Sequence, residues 1–597
     1  MFVGGKWGKL RGICRKQKTK FLLCFQASYS KAGDIFRIDY SLQKADTLER
    51  IASDHVTGRN DESFPSLVDE ITKRIKIYLR LSEEQLSSDI DKETGMITTS
   101  SPDAYKYYSI GRKTVKQVGH QASLELMEQA VAIDPEFAMA YRSMAISYRI
   151  LGFRKKAKEM FQKAMEHKDR LSDRDRLRIE ADYYLLSEST YDKAIESYLK
   201  ILDIYPDSPV RNNLAVAYGW IGEYQNAVEH LETYIKTYKS DSVLVFSNVF
   251  SFARRLGWYD KARETLQYYL NHFPDHPSIH RMLAQTYWEQ TKYELALEEI
   301  EKAFVLSPTD WYNNRFRGDI YYYMGDLIKA EAEYRMLLQR DERNASYWGL
   351  QRLSRVFLIQ GKFDESTEYA ERALELAEEL SNEARKRDQI SYLAYMDRIT
   401  GKPEEALNKY DICWKSAVEV EDFADQRMAL HQKGVTYLEI GQTSDAQRVT
   451  QELKEIIEPS PIKYIMRTYY HLLGMIEIEK KNYAQAIEYF ELGLALLRAV
   501  SEWRIIFTES IGWAYYESGD LKKAGEEYER IINNTANRMA FGNVYAKSSY
   551  MLGKIHEQQG DTAKAIESYE KFLDLWKDAD PGIAEVEDAR KRLAGLK

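Results

Sequence analysis

The side chains best suited by type to hold a metal are His272, His276 and His280 in the stretch NHFPDHPSIH, spaced four and four. Three imidazoles on one helical face could ligate zinc. Pro274 and Pro277 interrupt any helix that would bring them onto one face, and the stretch falls at the junction between two units of a repeat. A solvated turn is the expected role, and no metal is expected. The chain also has no glycine-rich phosphate loop, HExxH, GxSxG or HRD and DFG pair, which removes the commoner kinase, hydrolase and dinucleotide chemistries. Neither a catalytic residue nor a cofactor is expected, and the chain reads as a non-enzyme.

The elements that position these residues follow from composition. A chain of 597 residues with 30% charged, 44% hydrophobic and only 12 prolines describes a soluble, strongly helical protein. The longest early apolar run, Phe21 to Phe25, is far short of the roughly 20 residues of a membrane helix. Cys14, Cys24 and Cys413 form no CxxC, which suits a reducing, cytoplasmic setting. Residues 1–26 hold seven basic side chains and no acid, so the rest carries −15 of a net −8. An acidic body opposes binding to nucleic acid, and the basic head reads as a solvated, unordered terminus.

The stretch GEYQNAVEHL at 222–231 returns as GWYDKARETL at 257, GDLIKAEAEY at 325, GDLKKAGEEY at 519 and GDTAKAIESY at 560. Aligned on the alanine five residues after the turn, there are thirteen units, anchored at Ser123, Ala157, Ala194, Ala227, Ala262, Ala296, Ala330, Ser366, Ala406, Ala446, Ala486, Ala524 and Ala565. Spacings of 33 to 37 lengthen to 38 to 41 after Ser366, which makes two sub-arrays, 101–366 and 367–580. A small residue stands twelve before most anchors (Gly318, Gly474 and Gly553 among them), and an aromatic often stands four after, such as Tyr334, Phe490 and Tyr569. The small residue lets two helices approach, and the aromatic belongs to the inner face of the second helix.

On these residues the array resembles the tetratricopeptide repeat family over about 101–580. The resemblance implies an all-α solenoid, a right-handed superhelix of helix-turn-helix repeats with a groove lined by the first helix of each pair. Residues 581–597 read as a capping helix. Within that geometry, Asn213, Trp220, Asn248, Arg254, Arg255 and Arg281 are expected to face the groove. So are Trp288, Arg315, Tyr322, Tyr323, Trp348 and Arg355. Arginine beside exposed rings suits an extended, acidic peptide, because guanidinium pairs carboxylates bidentately. A protein-binding scaffold is the function expected.

Before the repeats, GDIFRIDYSL alternates as a half-buried strand, ERIASDHV suggests a second, and Leu67, Val68, Ile71, Ile75 and Leu79 share a helical face. Residues 27–82, read as strand, strand, helix, resemble the back half of the TolB-like or FlgO-like α/β domain of bacterial signalling proteins, and 83–100 read as a linker. The resemblance implies an alternative role: the regulatory part of a signalling kinase, cyclase or transcription regulator, with the chain starting late relative to the natural gene.

Overall fold

The computed structural model describes residues 101–597 apart from 207, 499–500 and 535–537, and before them most of 5–59, isolated positions between 67 and 78, and residue 99. It divides into two compact units, Met1–Ser208 and Pro209–Lys597.

The first unit opens with an antiparallel sheet of β1 (Gly5–Lys6), β2 (Leu10–Lys16), β3 (Thr19–Ala32), β4 (Ile35–Lys44) and β5 (Arg50–Arg59), in the order β1-β3-β4-β5 with β2 also on β3. β4 and β5 are the two strands expected from alternation. Ile38 pairs with Val56 across them, and both are buried with Tyr40, Leu67 and Ile71 in one small core. The basic head departs from expectation. Residues 10–16 pair antiparallel with 19–25, since a neighbouring strand offers backbone partners whatever the side-chain charge. Of the expected linker at 83–100, all but Thr99 lies outside the described residues, as do Val68 and Leu79 of the expected helix face.

Helix pairs follow, each written as helix A with helix B. The first unit holds pair 1 (Pro102–Gln117, His120–Ile133), pair 2 (Ala138–Ile150, Arg154–Glu166) and pair 3 (Asp173–Tyr184, Tyr191–Ile204). The second unit begins with pair 4 (Arg211–Ile221, Tyr224–Tyr238), pair 5 (Val243–Arg255, Tyr259–His272), pair 6 (Pro277–Trp288, Tyr293–Leu306), pair 7 (Trp311–Met324, Leu327–Leu338) and pair 8 (Arg343–Ile359, Phe363–Glu379). It continues with pair 9 (Glu383–Ile399, Pro403–Glu419), pair 10 (Phe423–Glu439, Thr443–Ile457), pair 11 (Met466–Glu479, Tyr483–Ala495), pair 12 (Trp503–Glu517, Leu521–Asn533) and pair 13 (Gly542–Gln558, Thr562–Leu575). A last helix, Ala584–Leu596, buries Val586 and Ala589 against pair 13.

The recurring residues form one device. Every anchor alanine is fully buried, and the small residue twelve earlier receives the ring four later. A Cβ added at Gly318 would sit 2.5 Å from Tyr334 Cε1, one at Gly474 would sit 2.3 Å from Phe490 Cε1, and one at Gly553 would sit 2.5 Å from Tyr569 Cε1. Where the anchor is serine, its hydroxyl donates to the carbonyl of that same earlier residue: Ser123 to Gly111 at 2.9 Å and Ser366 to Ser354 at 2.8 Å. The buried hydroxyl is thereby satisfied, which is what makes serine tolerable there. Most A–B turns place a left-handed residue five before the anchor. Gly222 and Gly325 supply it with φ of 86° and 92°.

Candidate functional site

In the second unit the late pairs rest on the early ones, along a seam at the A–B turns. Arg538, just before pair 13, is buried and donates to the carbonyls of Tyr323 and Tyr322, the latter at 2.7 Å. These carbonyls end helix A of pair 7, where a cation complements the helix dipole. Asp580 caps the opposite kind of end. Its Oδ2 accepts from the amides of Phe363 at 2.6 Å and Asp364 at 2.9 Å, 217 and 216 residues away, at the start of helix B of pair 8. Trp576 donates through Nε1 to the Ile359 carbonyl at 2.9 Å and stacks edge-on with Phe363. Further up the seam, Arg498 donates to the Gly222 carbonyl at 2.7 Å.

This seam decides where three of the twelve expected groove residues go. Tyr322 and Tyr323 are buried beneath it, and Arg355 turns to it, donating to the Ala540 carbonyl at 3.3 Å while lying 3.8 Å from the Tyr392 ring. Trp288 is buried between Phe316 and Tyr323. Arg281 is buried and donates to Asp310 Oδ2 at 2.8 Å, Asn313 Oδ1 at 2.7 Å and Ser278 Oγ at 3.3 Å. For these residues the expectation of an open groove surface is corrected: rings and guanidiniums that could line a groove are consumed in joining one A helix to the next. Arg254 is paired with Glu289, a carboxyl that burial raises, and exposed Arg255 donates to the Tyr224 hydroxyl at 3.3 Å.

The remaining residues keep capacity. Asn213 and Asn248 are half-exposed at the same register in pairs 4 and 5, and exposed Trp220 stands one pair from Arg254. Arg315 lies 4.3 Å from the centre of the Trp348 ring, with its Nε 3.8 Å from Asp319 Oδ2, beyond hydrogen-bond reach. Asp319 is already occupied by the Tyr334 hydroxyl at 2.7 Å and Arg352 Nε at 2.8 Å. Burial, followed by the Arg352 charge, pushes the Arg315 guanidinium below its ordinary value. Its ion-pair partner is therefore shared with Arg352.

The three histidines separate. His272 Nδ1 lies 2.9 Å from the Tyr268 carbonyl, His276 meets the Tyr269 ring edge-on, and His280 Nδ1 lies 2.7 Å from Glu299 Oε2. Among the described residues no group of histidine, cysteine or carboxylate side chains is arranged to hold a metal ion, and no helix is long and apolar enough to cross a membrane. Cys413 is a free, buried thiol that burial pushes up to about 12. Sequence reasoning missed a buried polar row in pairs 10 to 12. His431 Nε2 lies 3.0 Å from His471 Nδ1, and His471 Nε2 lies 3.2 Å from Ser510 Oγ. Its signal was there to read, since His431 and His471 both stand fifteen before their anchors.

Helix pairs of this kind, stacked through one repeated anchor, define a tetratricopeptide-repeat solenoid. Family profiles described as tetratricopeptide repeat match residues 253–310, 350–385, 468–496 and 546–575, so the chain carries these repeats. Among curated proteins it is similar to the TPR repeat-containing protein MJ1428 of Methanocaldococcus jannaschii, 23% identical over 54% of each chain. It is also similar to the BBSome complex member BBS4 of Bos taurus, 23% identical over 32% of this chain and 36% of that one. The chain thus spans about half or less of the length of these relatives. Among solved structures, the APC/C hetero-tetramer Cut9–Hcn1 aligns over 88% of this chain and 98% of that chain at 13% identity, with a TM-score of 0.30.

Proposed function

We propose that this protein is a non-enzymatic scaffold that binds an acidic segment of a partner protein along the A helices of pairs 4 to 8. The tetratricopeptide-repeat fold is one typical of protein–protein interaction. The observation that carries the finer reading is Arg315: a guanidinium held against Trp348, with its nearest carboxylate already spent on Arg352 and Tyr334. A carboxylate from outside would complete it, in a water-poor setting where such a pair is strengthened. Asn213 and Asn248, at one register in consecutive pairs, supply amides for an extended backbone. The set this reading retains is Asn213, Trp220, Asn248, Arg254, Arg315 and Trp348. The test is fluorescence anisotropy with acidic peptides of varied sequence. Arg315→Glu should weaken binding at least tenfold while the far-ultraviolet circular dichroism stays constant, and undiminished binding by that variant sinks the reading.

A second reading is supported by the small core of Ile38, Tyr40, Val56, Leu67 and Ile71, which joins the hairpin to the segment after it. Here the array regulates a signalling effector encoded with it, a kinase, cyclase or DNA-binding domain. Genomic sequence upstream with none of these would count against it.

A further inference from the structure

We propose that the cleft where the turn of pair 4 meets the A helices of pairs 10 to 12 binds a phosphate monoester. The argument begins with three guanidiniums held by rings. Arg498 lies 5.1 Å from the Tyr224 ring and Arg255 lies 5.6 Å from the same ring. Arg467 stands between Tyr464 at 5.2 Å and Trp503 at 5.3 Å, donating to the Tyr464 carbonyl at 3.0 Å. Tyr464 in turn packs on the pair 4 turn, where a Cβ at Gly222 would lie 3.0 Å from Tyr464 Cδ1. The pair 4 turn and the segment before helix A of pair 11 are therefore in contact.

The charges there are not balanced. Arg467 Nε is buried without a hydrogen-bond partner. Burial, and then the buried Arg427, push its guanidinium below the ordinary value, and no carboxylate is among the groups that act on it. Of the acids on the surrounding elements, Glu289 holds Arg254 and Glu223 accepts from Asn226 at 3.5 Å. Arg467 also stands in the first turn of the helix Met466–Glu479, the end whose dipole favours an anion over a cation. A single carboxylate would neutralise one of these cations. A dianion with several acceptor oxygens matches the forked geometry of the guanidiniums, and the rings fix their planes beforehand.

The site goes beyond the groove reading, shares only Arg255 with the neighbourhood of that groove, and is tested without touching Arg255 or Arg315. The full chain is titrated calorimetrically with inorganic phosphate, with O-phosphoserine and with aspartate, chloride holding ionic strength constant. Phosphate and O-phosphoserine are expected to bind saturably, with affinity reduced at least tenfold in Arg467→Gln and in Arg498→Gln. Arg538→Gln, which perturbs the seam away from the cleft, should keep the wild-type affinity. Preference for O-phosphoserine over phosphate supports the site with a phosphorylated protein as the source, and equal affinity supports it with a free phosphate. The proposal is overturned by no saturable binding, by equal binding of aspartate, by unchanged affinity in both site variants, or by equal loss in all three.

Discussion

Fifteen residues before the anchor, the two halves of the second unit solve one problem in opposite ways. Pairs 6 and 7 place Arg281 and Arg315 there and keep them charged, Arg281 bonded to Asp310 and Arg315 beside Asp319. Pairs 10, 11 and 12 place His431, His471 and Glu509 there and shift all three toward the neutral form. Burial, then His471 and nearby arginines, holds His431 well below its ordinary value, burial and Arg398 hold His471 at about 3, and burial pushes the Glu509 carboxyl up to about 7. The fold tolerates an ionisable row in either state, provided that charge comes with a partner or neutrality comes with burial.

The largest expected effect follows from that neutrality. A histidine whose folded value is depressed takes up protons only when unfolded, so its contribution to stability is lost as pH falls below about 6.5, at about 1.4 kcal/mol per pH unit. Glu509 has the opposite sign: its folded value is raised, the folded state binds the extra proton between about 4.3 and 7, and acid stabilises it. Two histidines against one carboxyl leave a net loss of stability as pH falls from 6.5 to 4.5. Glu509→Gln should enlarge that loss, and His471→Gln should reduce it by about 2 to 3 kcal/mol. Urea midpoints followed across this range measure all three, and an unchanged acid limb in both variants would show that these groups titrate normally.

The seam offers the next effect, because it ties the halves together through residues on neither row. Arg538→Ala leaves the carbonyls that close helix A of pair 7 without their donor, at a cost of about 2 to 3 kcal/mol. Asp580→Ala removes an N-cap from helix B of pair 8, a loss of about 1 kcal/mol. Either variant should protect the amides of pair 13 less in hydrogen exchange while leaving pair 5 unchanged. Equal protection across both pairs would mean that the seam does not couple the halves.

Within a single pair the halves should behave alike. Gly318→Ala and Gly474→Ala each drive a methyl group into the ring of the partner helix, Tyr334 or Phe490, at a cost of about 1 to 3 kcal/mol. Thermal unfolding of the two variants checks this, and a markedly smaller cost in one would show that its ring has room to move.

What the sequence made legible was everything local to a pair. The anchor, the small residue and the ring recur at fixed offsets because they touch within about forty residues. The surroundings of the expected groove residues were not legible: Tyr322, Tyr323 and Arg355 meet residues 538–540, more than 180 residues on. No periodicity reports such a contact, since it depends on how far the stack winds per pair. The basic head failed for a related reason: a charge run says nothing of the strand that pairs with it.

The smallest effect concerns the turn that both halves share. Five residues before the anchor, pairs 6 and 11 lack glycine, and Thr291 and Lys481 hold φ of 60° and 61°. A side chain in the left-handed region costs about 1 to 2 kcal/mol, more for a branched Cβ, while glycine returns part of that through the entropy of the unfolded chain. Thr291→Gly should therefore stabilise by about 1 kcal/mol and Lys481→Gly by about half as much. The threonine gain exceeds the lysine gain because its Cβ is branched, not because of the half it lies in. Calorimetric melting of the two single variants and the double decides it: additive gains follow from turns this far apart, and a gain confined to one half would mean that the turns do not share one geometry.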